Sequence, residues 1–139
     1  MSGPAQFPYV QLHPAFGAAG YAPLAPVTLL LRGVVVHDHA LVDSGATVNV
    51  LPYTMGLSLG GNWNAFPGSI PLSGVLGNYP AKPLILEVAV GHFTPVPMAF
   101  AWSQSPHARL ILGQVNYFEL FDVCFHRKRG TFEIQPASP

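Results

Sequence analysis

Charge is scarce in this chain of 139 residues: Asp, Glu, Lys and Arg make up 9% of it against 50% hydrophobic residues, and the formal net charge is zero. Without a basic excess there is no electrostatic case for a nucleic acid or an anionic membrane surface as partner, and the run Arg127-Lys128-Arg129 reads as a solvated hairpin turn. A surface this poor in charge fits burial against a second subunit, and equally a large core or low solubility. Cysteine is almost absent. Cys124 stands alone, so no intrachain disulfide can form, which fits a reducing compartment. Alternation along its strand makes it a buried or half-buried small hydrophobe rather than a nucleophile. No Lys or Arg precedes Arg32, and prolines interrupt every apolar stretch up to Pro26, so the pattern of a secretory signal is missing. No apolar run approaches membrane-spanning length. The expectation is a soluble chain, with the cytoplasm favoured.

The length bounds one domain with a modest core. Residues 1–26 form an arm rich in Pro, Ala and Gly without a charged side chain, in which Pro4, Pro8, Pro14, Pro23 and Pro26 argue against a continuous helix or a central strand. The arm is read as extended chain that packs on a partner or as a mobile tail, with residues 27–139 as the regular domain. From Val27 onward the order is almost entirely strand. Val27–Leu31 and Val34–Val42 flank a turn at Arg32-Gly33, and Leu84–Val90 and Val96–Trp102 flank Gly91-His92. The stretches Leu59-Gly60-Gly61-Asn62 and Asn64–Gly68 read as loops. Only Val115–Phe121 invites a helix, through the spacing of Tyr117, Leu120 and Phe121 after the breaker Gly113; Arg127–Gly130 then turns into Thr131–Gln135.

Three segments carry chemistry. Asp43-Ser44-Gly45-Ala46 follows the apolar run Ala40-Leu41-Val42, so a carboxylate sits where a strand leaves the core, followed by a small hydroxyl and a glycine that lets backbone turn and approach a ligand. Taken alone this is also ordinary turn chemistry. Leu110-Ile111-Leu112-Gly113-Gln114 forms an apolar strand ending in glycine, and Ile70–Gly77 carries two glycines between the other two segments. His37 and His39 alternate onto one face of a strand, a spacing that can hold a metal, but no third protein ligand, HExxH or paired-cysteine signature accompanies them. Ser44 lacks the glycine-flanked elbow of serine hydrolases.

In order and separation these segments resemble the retropepsin-like, or retroviral-type, aspartic proteases, with the likeness running from about Val27 to Gln135. The resemblance implies an all-β subunit: a single-domain closed β-barrel of the acid-protease type with one short C-terminal helix, active as a two-fold homodimer. It makes Asp43 the catalytic carboxylate, Ser44, Gly45, Ala46 and Thr47 the active-site loop, and Ser73, Gly74, Val75, Leu76 and Gly77 the flap that closes over a peptide or protein substrate. Leu112, Gly113 and Gln114 become structural residues near the site. No cofactor and no metal are implied. Only one Asp-Ser-Gly occurs, and Asp38 and Asp122 lack its sequel, so the second carboxylate has to come from another copy. The sequence departs from the family pattern at Thr47 and Gln114, where many members carry an acid and an arginine tied together near the dimer interface; both are neutral here. The implied activity is aspartic endopeptidase cleavage of extended, largely apolar peptides. The alternative is a retropepsin-fold module that dimerises or binds peptides with weak or no catalysis.

Overall fold

The computed structural model describes residues 3–66, 68–72 and 74–139. Within the proline-rich arm, β1 (Ala5–Pro8) lies in a sheet and β2 (Val10–Gln11) pairs with β3 (Tyr21–Ala22) around a 3-10 stretch at Pro14–Gly20. The prolines keep these pieces short, since each removes a backbone donor. Strand β4 (Leu24–Leu31) opens ahead of Val27, where Pro26 was expected to hold regular structure off. Pro26 lies just beyond the end of the ladder with the neighbouring strand that starts at Val27, and its carbonyl accepts from Gly91 N at 2.8 Å, so the missing N–H is not needed there.

β4 turns into β5 (Val34–Val42) through Arg32 and Gly33, both at positive φ (45° and 85°). This is the two-residue turn whose twist matches a hairpin. β6 (Val50–Pro52) runs directly into helix α1 (Tyr53–Ser58). The sequence reading missed α1, having reserved helix for residues 115–121. Its boundaries are set by Pro52 at the N-cap and by Gly60, at φ 83°, just past the end. The helix is held by tertiary packing: Trp102 is fully buried, donates Nε1–H to the Tyr53 carbonyl at 3.0 Å, and leaves no room for a side chain at Gly56.

β7 (Ala81–Val90) and β8 (Val96–Ser103) form the second long antiparallel pair, and β9 (Ile111–Leu112) is a short strand. The barrel closes in the order β4-β5-β9-β6-β8-β7, which leaves no free edge. Two contacts in it are parallel, β5 with β9 (Val42 opposite Leu112) and β6 with β8 (Val50 opposite Ala101). Helix α2 (Tyr117–Leu120) is shorter than the expected 115–121. Phe121 leaves the helix as the first residue of β10 (Phe121–His126), stacking on Tyr117 with ring centroids 5.3 Å apart. A 3-10 turn at Arg127–Arg129 and Gly130 in the left-handed conformation lead into β11 (Thr131–Pro136). β11 is the central strand of a three-stranded sheet ordered β1-β11-β10.

The core runs from the barrel (Leu29, Leu51, Phe100, Trp102) through Tyr117 and Phe121 into this sheet at Phe132 and Ile134. Cys124 is exposed, against the expectation of a buried or half-buried position. Its strand takes the opposite parity: Phe121 and Val123 face the core and Cys124, paired with Glu133, faces out. Among the described residues no helix is long and apolar enough to cross a membrane.

Candidate active site

β5 delivers Asp43 to a loop built almost entirely from backbone hydrogen bonds. Asp43 N donates to Leu112 O at 3.0 Å, which fastens the loop to β9, and Ala46 N donates back to Asp43 O at 3.1 Å to close a turn. The half-buried Asp43 carboxylate accepts from Gly45 N through Oδ1 at 2.9 Å. Glycine at 45 keeps this approach open, since a Cβ there would stand 3.3 Å from that same oxygen. Ser44, Gly45 and Thr47 are exposed and Ala46 is half-buried.

The segment after β9 locks the loop from the other side. Gln114 N donates to Ala46 O and Val115 N to Thr47 O, both at 2.9 Å, and Gln114 Nε2 donates to Ser44 O at 2.6 Å. Leu112 and Gly113 are buried beneath it. A Cβ at Gly113 would meet Val48 O at 2.6 Å and Ala46 O at 2.8 Å, so only glycine lets the two backbones come this close. Thr47 and Gln114, the two neutral positions, do not bond each other through their side chains; the Gln114 amide serves the Ser44 carbonyl instead.

Two positioning residues escaped the sequence reading. Asn49 is fully buried, accepts from Gly113 N at 2.8 Å through Oδ1 and donates Nδ2–H to Ala99 O at 3.2 Å, joining the loop, β8 and the turn after β9. A polar residue inside the apolar run Val48-Asn49-Val50-Leu51 was the available sign. Asn116, at φ 76°, accepts from Ala99 N at 3.2 Å, while its own N–H donates to Glu119 Oε1 at 2.6 Å.

Asp43 opens onto a cavity of about 540 Å³. The loop contributes Asp43, Gly45, Ala46 and Thr47, the strands and their flanks contribute Val48, Val50 and Ile111, and the 70–77 segment contributes Pro71, Leu72 and Leu76. Of the expected flap, Leu76 thus reaches the cavity, whereas Gly74 and Gly77 are exposed and do not line it; Ser73 lies outside the described residues. Gly74–Asn78, including the backbone of Val75, is a 3-10 helix, so in this conformation it offers no strand edge to a peptide. His37 and His39 are exposed on β5 with no third ligand among the described residues; His37 Nδ1 lies 3.0 Å from Thr28 Oγ1.

Comparison with solved structures matches the chain to a retropepsin-like aspartic protease from Rickettsia conorii, with a TM-score of 0.66 over 96% of this chain and 99% of that one, at 13% sequence identity. No protein-family model and no curated protein sequence matches. A closed all-β barrel, superposable over nearly its whole length at an identity this low, gives the chain the fold of the retropepsin-like aspartic proteases.

Proposed function

We propose that this chain is an aspartic endopeptidase that works as a two-fold homodimer, with one Asp43 from each copy forming the catalytic pair. The observation that carries the reading is a carboxylate fixed by Gly45 N–H at the rim of a cavity of about 540 Å³ whose remaining side chains are mostly apolar. Two carboxylates a few ångströms apart share one proton, because both cannot ionise cheaply. The ionised member takes a proton from a bound water as that water attacks the scissile carbonyl, and the protonated member hydrogen-bonds the carbonyl oxygen. A tetrahedral diol forms without a covalent acyl intermediate, and the shared proton moves within the pair, so titration belongs to both carboxyls together.

The substrate is an extended, largely apolar peptide, whose side chains Val48, Val50, Ile111, Leu72 and Leu76 would receive. Ser44 steadies the pair from the opposite loop, Gly45 presents its carbonyl to the substrate strand, and residues 73–77 close over it and exclude water. For closure to add a strand to the peptide, the 3-10 turn at Gly74–Asn78 has to open. Gln114, through Ser44 O, takes the place of the charged tie at the copy-to-copy face.

The test is cleavage of an unstructured peptide library by the purified chain, with and without pepstatin, beside Asp43→Asn. Pepstatin-sensitive cleavage that Asp43→Asn abolishes supports the proposal. Equal cleavage by both proteins assigns the proteolysis elsewhere, and dimers without cleavage leave the fold as a peptide-binding or dimerisation module.

A further inference from the structure

The β10–β11 hairpin has chemistry on its outer face that proteolysis at Asp43 does not use. Strand alternation brings Cys124 and His126 to one side of β10, and the antiparallel register sets Glu133 directly opposite Cys124. A thiol, an imidazole and a carboxylate therefore converge, with one ligand atom from each lying within 4.8 Å of the others. His126 Nε2 is already 3.1 Å from Glu133 Oε2. The backbone beneath is fixed from the inner face, where Phe121, Phe132 and Ile134 are buried. A shallow hollow of about 110 Å³ runs alongside, lined by Cys124 and Glu133 together with Asp122 of the same strand.

We propose that Cys124, His126 and Glu133 form a binding site for a borderline-soft divalent cation of the Zn²⁺ kind. Zn²⁺ takes sulfur, nitrogen and oxygen donors together at about 2.0–2.3 Å in a tetrahedron, which sets neighbouring donors about 3.5 Å apart. His126 and Glu133 already stand near that spacing, so the thiol of Cys124, within 4.8 Å of the other two ligand atoms, closes by about an ångström through rotamer adjustment. Cys124 is exposed and His126 and Glu133 are half-buried, so a fourth position stays open to water. A hard cation such as Mg²⁺ would not choose a thiolate.

Arg129 opposes the ion. Its Nη2 lies 2.7 Å from His126 Nδ1, where it donates to a ring whose proton then sits on Nε2, facing Glu133. Metal binding through Nε2 displaces that proton to Nδ1 and turns Arg129 away. The guanidinium is exposed and free to leave. Arg129 thus sets the affinity from outside the ligand set, and removing it strengthens binding.

The experiment uses the full chain under a non-chelating reductant, titrated with Co²⁺ as a spectroscopic probe and then with Zn²⁺ against a chromogenic chelator. Expected are about one ion per chain, a thiolate-to-Co²⁺ charge-transfer band in the near ultraviolet, and a tetrahedral visible envelope. Cys124→Ser abolishes the band, and Glu133→Gln and His126→Gln each weaken binding by about tenfold or more. Arg129→Gln strengthens it, and His37→Gln leaves it unchanged. All of these positions are exposed or half-buried, and circular dichroism verifies that each variant keeps its strands. Binding without a thiolate band, undiminished affinity in Cys124→Ser, or loss in His37→Gln would overturn the assignment. An unchanged affinity in Arg129→Gln would remove His126 Nε2 from the ligand set.

Discussion

Gly113→Ala tests whether the Asp43 loop is held by backbone proximity. The added methyl would stand 2.6 Å from Val48 O, 2.8 Å from Ala46 O and 2.8 Å from Val48 C, all backbone atoms that cannot rotate away. Relief requires the loop and the turn after β9 to part by several tenths of an ångström or more. That separation stretches the bonds from Gly113 N to Asn49 Oδ1 (2.8 Å), Gln114 N to Ala46 O (2.9 Å) and Val115 N to Thr47 O (2.9 Å). Overpacking and weakened buried bonds together cost about 2–4 kcal/mol, which lowers the melting temperature by roughly 10 °C in a domain of this size. Under the proposed protease function, cleavage falls further than stability alone requires, since a misplacement of about 1 Å at a reacting group costs about 100-fold. Gly45→Ala is the matched control, because its Cβ meets only the Asp43 Oδ1 atom, at 3.3 Å. It keeps the fold within about 1 kcal/mol while disturbing the carboxylate. Calorimetry and peptide cleavage on the same samples separate the two. A Gly113→Ala protein with wild-type melting and wild-type turnover would refute the claim that this contact holds the site.

Under the proposed homodimer, mixing wild type at fixed concentration with Asp43→Asn poisons activity: under dimer-saturating, exchanging conditions it falls to about one half at equal amounts and about one fifth at fourfold excess. Retained full activity, with mixed dimers verified by mass, would exclude a shared pair. Asn49→Ala strips partners from the buried Gly113 N–H and Ala99 carbonyl and is expected to cost about 2–3 kcal/mol in denaturant unfolding; wild-type stability would show that Asn49 does not bind the loop to β8. Tyr117 is buried with no partner for its hydroxyl among the described residues, and that burial holds the phenol far above its ordinary value of 10.0. Its neutral form therefore stabilises the fold fully below pH 10, and the contribution is lost as pH rises toward the folded-state value, because the unfolded phenol ionises first. Tyr117→Phe should match or exceed wild-type stability by up to about 1 kcal/mol and flatten the alkaline decline; a steeper decline would contradict this assignment.

What the sequence made legible was whatever a local rule enforces. Arg32-Gly33 between two β-branched runs is turn chemistry, and the structure puts both residues at positive φ. The apolar runs of β7 and β8 on either side of Gly91-His92, the glycine after Leu112 and the Arg127–Gly130 turn likewise depend on neighbours in sequence. Features that depend on distant partners stayed hidden. Helix α1 exists because the Trp102 indole packs on Gly56 and bonds Tyr53 O, neither of which local spacing reveals. Asn49 reads as one polar residue in an apolar run until Gly113 and Ala99 are brought to it. For Cys124 alternation was the right rule with the wrong parity, because which side of β10 is the inside depends on β11 and the barrel beneath.

Under the proposed two-carboxylate mechanism, the positions of the acidic residues decide where the second carboxylate can come from. There are six Asp and Glu residues in the chain, and Asp43 is the one on the cavity. Asp38 lies on β5, the strand that leads into Asp43, but five residues of extended chain set the two about 16 Å apart, and the Asp38 carboxylate accepts from His39 N at 2.7 Å. Glu87 lies along β7 opposite Pro97, on the barrel wall. Glu119 is committed to the Asn116 N–H at the start of α2. Asp122 and Glu133 belong to the separate β1-β11-β10 sheet. None of the five can swing to Asp43 without unpairing a strand or a helix start. Under the proposed mechanism, in which two carboxylates share one proton, the second therefore comes from outside this fold, and the proposal assigns it to the Asp43 loop of a second copy. Val115, whose N–H donates to Thr47 O in that loop, is bridged to Val48 and 45% exposed, an apolar surface such a copy would cover.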